Sequence, residues 1–275
     1  MLSGGGSRGA YQAGCWAALH EADFRPELIV GTSAGALNGT MIAVGLPPDE
    51  IRSWWLDLRT KALLRTRLDL WRLRRWTGLR DAAPLRRLIE ENLDVAALRA
   101  SPLDLRVTAV DLERGHEVVF GKHEITADHL LASCALLPGI PPVLIDGRQH
   151  ADGGHWTAFP LRHALEAGAT EVHALLHDPL EPHPEPPLLG ILDILRRQGD
   201  IVWHGRQAAE MEALRLRMEL PRRDPRRLAP AKIVVHSPEP PFRNPILAFD
   251  PKGARAMYER GLEETQARLE AQAAG

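Results

Sequence analysis

Short apolar runs, bounded by glycine, proline and charged residues, alternate along the chain with longer mixed stretches, and this pattern predicts strands exchanging with helices. Met1–Ser3 reads as a brief first strand and Ser7–Glu21 as a helix. A strand over Glu27–Gly31, centred on Leu28-Ile29-Val30, leads into a helix over Ala34–Val44. Pro47-Pro48-Asp49-Glu50 opens a further helix, with proline in its first turn and acids near its N-terminus. Leu103–Leu112 and His116–Phe120 alternate as a strand pair around Glu113-Arg114-Gly115. Val143–Ile145 and Gln149–Ala151 flank Asp146-Gly147, a strong hairpin signal, so Asp152 emerges at the end of the second strand. Val172–Leu176 and Ile233–His236 are further strands, and Lys252–Gln272 is a C-terminal helix. The order predicts an α/β layered fold with a central, largely parallel sheet flanked by helices. Residues 1–180 read as the core and 181–275 as the completion of the same domain.

At 275 residues, 44% hydrophobic and 25% charged, the composition is that of a soluble globular protein. A formal net charge of −2 gives no global attraction to nucleic acid or to anionic membrane, so any such attraction must be local. Cys15 and Cys134 sit in apolar surroundings and read as buried thiols. No charged and apolar leader pattern precedes Gly4, which makes the cytoplasm the expected compartment. Leu28 to Pro48 carries no charge, yet its glycines and hydroxyls fit a buried strand and helix better than a membrane span.

Three glycine-rich motifs carry the candidate chemistry. Gly31-Thr32-Ser33-Ala34-Gly35 lies where a strand gives way to a helix, a sharp turn that pushes a serine hydroxyl out beside free backbone N–H groups. Ser33 is the candidate nucleophile. Gly4-Gly5-Gly6-Ser7-Arg8-Gly9 opens the first helix and can offer consecutive N–H groups without side-chain obstruction. Asp152-Gly153-Gly154 follows the hairpin. In this order the three motifs resemble those of the patatin-like phospholipase family. Ala132-Ser133-Cys134-Ala135, Leu137-Pro138-Gly139, Pro141-Pro142-Val143 and Gly168-Ala169-Thr170-Glu171-Val172 add smaller likenesses. The resemblance covers roughly the first 180 residues. The family usually has more strand residues before its glycine run than Met1, Leu2 and Ser3, so either the first strand is very short or the true start lies upstream.

The resemblance implies a serine–aspartate pair, with Ser33 as nucleophile and Asp152 as general base. It implies an oxyanion hole built from Gly5 and Gly6 of the Gly4-Gly5-Gly6 loop, with Arg8 adding charge or holding the loop; the N–H of Ala34 is a further donor. Gly9, Gly31, Gly35, Gly153 and Gly154 are the remaining motif glycines. It implies no metal and no cofactor. Two other readings compete. The Gly4–Gly9 spacing also suits a dinucleotide site, but that site wants an acid at the end of the second strand, and Glu27 opens the strand instead. A serine–histidine–acid triad would draw on His155, His173, His177, His204 or His236, and His150 should share a strand face with Asp152. The pair is preferred over the triad.

Between residues 59 and 80 stand Arg59, Lys61, Arg65, Arg67, Arg72, Arg74, Arg75 and Arg80 against Asp69 alone, interleaved with leucines, Trp71 and Trp76. Such a segment suits an anionic membrane surface, and equally a helix covering the core with its arginine stems; composition leaves both open. Arg215, Arg217, Arg222, Arg223, Arg226 and Arg227 read as the end of a long helix and a solvated loop. His177–Pro187 reads as a stiff connection without metal-ligand spacing. Trp54, Trp55, Leu63 and Leu64 are expected to shape a substrate pocket. The expected activity is hydrolysis of carboxylic esters of phospholipids or related acyl lipids, with no nucleic-acid partner. Acyl transfer by the same residues and a non-catalytic lipid-binding module are the alternatives.

Overall fold

Strand β4 (Asp104–Asp111) is the hub of the sheet, and its neighbours are dictated by the length of chain that joins them. The tight turn after β4 returns at once as β5 (His116–Gly121), which is therefore antiparallel to it. Strand β1 (Leu28–Thr32) reaches β4 only after a long helical excursion and pairs in parallel. The computed structural model describes residues 1–66, 77–157, 159–185, 187 and 189–274.

The excursion consists of α2 (Ala34–Ala43), α3 (Pro48–Asp57), α4 (Thr60–Leu63), the two-residue strands β2 (Arg65–Thr66) and β3 (Arg80–Asp81), α5 (Ala83–Asn92) and α6 (Val95–Ala100). Pro48 occupies the first turn of α3 with Asp49 and Glu50, as expected. β2 and β3 form an antiparallel ribbon that closes the basic segment at its base. The segment's centre, including Arg67, Trp71, Arg72, Arg74, Arg75 and Trp76, lies outside the described residues. The charge-free run Leu28–Pro48 is β1, a turn and α2. No helix among the described residues is long and apolar enough to cross a membrane.

After β5 come α7 (Ala127–Ser133) and the hairpin of β6 (Val143–Ile145) and β7 (Arg148–Asp152). Asp146 and Gly147 both have positive φ, at 49° and 78°, the twist that a two-residue hairpin requires. α8 (Leu161–Glu166), β8 (Glu171–Leu175), α9 (Ile191–Glu219), β9 (Lys232–His236) and α10 (Pro251–Ala274) complete the chain. β8 and β9 pair in parallel. The expected first strand contracts to one residue: Leu2 bridges Gly31 on one side and Leu175 on the other, both in parallel, and so joins the two halves of the sheet. The middle of the sheet is thus parallel and its hairpin partners antiparallel, a mixed sheet flanked by helices.

One hydrophobic cluster, with Tyr11, Ile51 and Leu105, lies under α1 (Gly9–Glu21), α2 and α10. A second, with Phe159, Leu161, Leu165 and Leu214, lies under α8 and the C-terminal half of α9. Cys15 and Cys134 are both buried and unbridged. α9 ends amid the second arginine cluster, where Arg217 pairs with Glu166 at 2.8 Å and Arg226 with Asp224 at 2.8 Å.

Candidate active site

The register of β4 brings Ser33 and Asp152 together from positions 119 residues apart in the sequence. β1 runs along one edge of β4 and ends with Thr32 opposite Thr108. β7 approaches along the same edge from the opposite direction and ends with Asp152 opposite Ala109. β5 occupies the other edge from Arg106 to Asp111. The carboxyl ends of β1 and β7 therefore meet head-on at consecutive positions of β4. The hydroxyls of Thr32 and Thr108 lie 2.6 Å apart beneath the junction.

Ser33 occupies the sharp turn between β1 and α2 with φ 55° and ψ −123°. Such a conformation costs a non-glycine residue about 1–3 kcal/mol and persists only where its surroundings enforce it. The two motif glycines supply the room: a Cβ on Gly31 would stand 2.5 Å from the Gly35 carbonyl oxygen, and one on Gly35 would overlap the Leu2 carbonyl. The Ser33 N–H is also held, donating to the hydroxyl of the fully buried Ser133 at 2.8 Å. Among the described residues, nothing accepts the N–H of Ala34, Gly5 or Gly6.

Asp152 is 4% exposed. Its Oδ1 accepts the Gly154 N–H at 2.8 Å, and the Ser33 hydroxyl stands near enough to its carboxylate to favour the ionised form. Burial raises the carboxyl from 3.8 to about 6, against the lowering effect of the Gly154 N–H and the Ser33 hydroxyl. The Asp152 N–H donates to the Ala135 carbonyl at 3.1 Å. Ser133 and Ala135 thus hold both partners from one short stretch, a role that no local pattern in the sequence announces. Cys134, between them, is pushed up by burial and by the Asp152 charge, which keeps its thiol protonated.

The glycine loop closes the other side. Gly4 lies against Ser33, where a Cβ would come 3.3 Å from the serine Cβ. Gly5 lies against His177, 2.5 Å from its Cβ by the same measure. Gly6 has φ +55°, and a Cβ there would overlap the Ile246 carbonyl. Gly9 packs against Trp55 and Gly153 against the Thr108 hydroxyl, again with no space for a side chain. The Ser7 N–H anchors the loop to the Ile246 carbonyl at 2.7 Å. Arg8 pairs with Asp178 at 3.2 Å and donates to the carbonyls of Phe242 and Asn244, so its charge is balanced and it straps the 240s segment to the loop. Behind the loop, Gln12 donates to the carbonyls of Ser3 at 2.8 Å and Leu175 at 3.0 Å.

None of the five histidines available for a triad hydrogen-bonds to Ser33 or Asp152. His155 Nε2 accepts the Leu137 N–H at 3.0 Å. His177 Nδ1 lies 3.2 Å from Ser3 Oγ, and burial, Arg8 and His204 hold the ring well below its ordinary value, hence neutral. His173 and His236 stack on each other, and His204 is buried on α9. His150 turns its ring to Phe120, with Nδ1 3.1 Å from the Arg148 carbonyl, and makes no hydrogen bond to Asp152.

Ser33 and Asp152 open into a cavity of 1510 Å3. That exceeds the roughly 300–1,000 Å3 usual for small-molecule sites. Its apolar wall includes all four expected residues, Trp54, Trp55, Leu63 and Leu64, and on the far side Phe242 and Leu247. α9 forms a further wall through Leu195, Val202 and Trp203, which the sequence pattern gave no reason to place there.

Comparison with known proteins agrees with this fold. A family model described as patatin-like phospholipase matches residues 1–165. Uncharacterized NTE family proteins of Mycobacterium bovis and Mycobacterium tuberculosis are 31% identical over 160 residues, 58% of this chain and 43% of each relative. The match therefore takes in less than half of those relatives. The crystal structure of VipD from Legionella pneumophila superposes with a TM-score of 0.50 at 13% identity, over 98% of this chain and 66% of that one, a likeness of fold.

Proposed function

The chain belongs to the patatin-like phospholipase family, and from that premise we propose that it is a serine lipid acyl hydrolase cleaving carboxylic esters through Ser33 and Asp152. The observation that carries the reading is a strained, cavity-facing serine set beside a buried carboxylate whose proton affinity is raised toward neutrality. In water, with a value near 3.9, an aspartate is a weak base; raised to about 6 it accepts a proton far more readily while remaining mostly ionised at pH 7.

The steps follow from the positions. Ser33 Oγ attacks the ester carbonyl as its proton passes to Asp152. Negative charge gathers on the former carbonyl oxygen, where the unoccupied N–H groups of Gly5, Gly6 and Ala34, with Gly4 leaving the approach clear, stabilise it. Collapse of the tetrahedral intermediate breaks the ester C–O bond, and the leaving alkoxide takes the proton from Asp152. Water then attacks the acyl-enzyme, giving a proton to Asp152. Collapse breaks the acyl–Oγ bond, the proton returns to Ser33, and the fatty acid leaves. Arg8 holds the loop rather than meeting the oxyanion, because its guanidinium is engaged by Asp178 and two carbonyls. The large apolar cavity suits long acyl chains.

The test is labelling with a fluorophosphonate probe, with the modified peptide located by mass spectrometry, beside Ser33→Ala and Asp152→Asn. Labelling confined to Ser33, absent from Ser33→Ala and strongly slowed in Asp152→Asn, is expected. A folded protein that never labels contradicts the reading.

A further inference from the structure

Six of the ten large apolar side chains exposed among the described residues fall in one stretch: Leu189, Ile191, Ile194, Leu195, Ile201 and Val202. The two halves of α9 differ accordingly. Its C-terminal half is anchored, with His204, Gln207 and Leu214 buried and Met211 and Met218 packed on the second core cluster. From Ile191 to Val202, no described side chain is buried. An amphipathic helix of a globular protein sets its apolar stripe against the core, and here half the stripe has no core beneath it.

That half overhangs the mouth of the Ser33 cavity. Leu195, Gly199, Val202 and Arg206 recur at helical spacing along one flank and line the cavity, as do the polar residues Arg196, Gln198 and Asp200. Ile191, Ile194 and Ile201 occupy the neighbouring flank and face solvent. Apolar side chains of α9 thus stand both on its solvent side and in the wall of the Ser33 cavity. Trp156, 49% exposed, lies beside His155 of the cavity wall. Leu79, 51% exposed, bonds through its N–H to Pro138, between the cavity residues Leu136 and Ile140. Arg196 is paired with Glu185 and Asp200, and Arg197 with Glu185, while Arg206 donates to the His155 carbonyl and the carboxylate of Asp193 offsets its charge. An aliphatic face with balanced charge matches a lipid surface and offers nothing to a polyanion.

We propose that the first half of α9 docks the protein on a lipid surface, with Ile191, Ile194 and Ile201 in contact with the acyl region. An acyl chain then enters the cavity along Leu195 and Val202. This extends the acyl-hydrolase reading to the source of its substrate and rests on it. It also assigns lipid contact to a different segment from the arginine-rich stretch 59–80, and by a force that salt does not screen.

The experiment is sedimentation of Ser33→Ala protein with phosphatidylcholine vesicles at about 1 M salt, where the Debye length is about 3 Å. It is compared with the same protein carrying Ile191→Glu, Ile194→Glu and Ile201→Glu, residues that do not line the cavity. The triple substitution is expected to weaken vesicle binding at least ~10-fold, three aliphatics that would enter the lipid being exchanged for charges. With Ser33 restored, it should slow vesicle hydrolysis in proportion and leave cleavage of a soluble short-chain ester unchanged. Circular dichroism verifies the fold. Equal binding by the two proteins overturns the proposal, as does a failure of the parent to bind. So does conversion of a dimer to a monomer with vesicle binding unaltered, which would make a second copy the occupant. If the parent binds vesicles through this face but cleaves no soluble ester, the docking stands and the hydrolase reading falls.

Discussion

Asp152→Asn should make the protein more stable at neutral pH while abolishing its chemistry. Burial holds the native carboxyl at about 6 instead of 3.8. A carboxyl raised in the folded state binds its proton more tightly there than in the unfolded chain. Its favourable contribution is therefore complete below the unfolded value, declines as pH rises from about 3.8 to about 6, and leaves a constant cost above that window. At about 1.4 kcal/mol per tenfold, the interval from 3.8 to about 6 amounts to about 3 kcal/mol. Asparagine cannot ionise, is nearly isosteric, and can keep the bond from the Gly154 N–H through its Oδ1. Urea unfolding of both proteins at pH 4 and pH 8 isolates the effect, because every other titrating group is shared. The stability difference, variant minus parent, should grow by about 2 kcal/mol from the lower pH to the higher, because roughly a fifth of the 3 kcal/mol is already lost at pH 4. A difference that stays flat with pH, or moves the other way, refutes the argument that desolvation sets the proton affinity of this carboxylate.

Hydrolysis of a soluble ester should follow the ionised fraction of Asp152: kcat/KM falls about tenfold per pH unit below about 6 and levels above it. The same limb should persist in His155→Gln, since that ring is committed to the Leu137 N–H; loss of the limb there would reinstate a histidine base. Ser133→Ala leaves the Ser33 N–H without its acceptor, and should cost about 1–3 kcal/mol of stability and lower kcat more than it changes KM. Calorimetry and steady-state kinetics test it, and unchanged values in both would remove Ser133 from the elbow's support. Gly6→Ala must move a positive-φ loop away from the Ile246 carbonyl, and probe labelling of Ser33 should slow by about 100-fold or more; labelling at the parent rate would place the oxyanion donors elsewhere.

Much of the site is legible in the sequence because its signals are local. The strand-to-helix serine, the Asp146-Gly147 hairpin and the aspartate at its end each rest on a handful of consecutive residues whose backbone needs are specific. The likeness to a family then supplies the pairing of Ser33 with Asp152, which spacing alone does not. Contacts that join distant segments left no such trace. Ser133 reaches Ser33 across 100 residues, and a buried serine in an apolar stretch looks the same whether it supports a nucleophile or simply fills space. His150 shares a strand with Asp152, yet its ring is claimed by Phe120, a choice made by packing rather than by alternation. The unsupported half of α9 was also hidden, because its aliphatic residues resemble those of any buried helix until their surroundings are known.

The meeting of β1 and β7 beside β4 makes that strand a ruler for the chemistry. Ser33 and Asp152 are measured off against Thr108 and Ala109, and a slip of one residue by β7 would move Asp152 by about 3.3 Å and turn its side chain to the opposite face. The segments between these marks carry no such constraint. Residues 44–103 and 179–219 can lengthen, shorten or change composition, provided the glycine loop stays seated and the register of three strands is kept. The fold thereby separates two kinds of inheritance: a few ladder bonds that conserve the reaction, and the cavity walls, free to vary, that decide which molecule undergoes it.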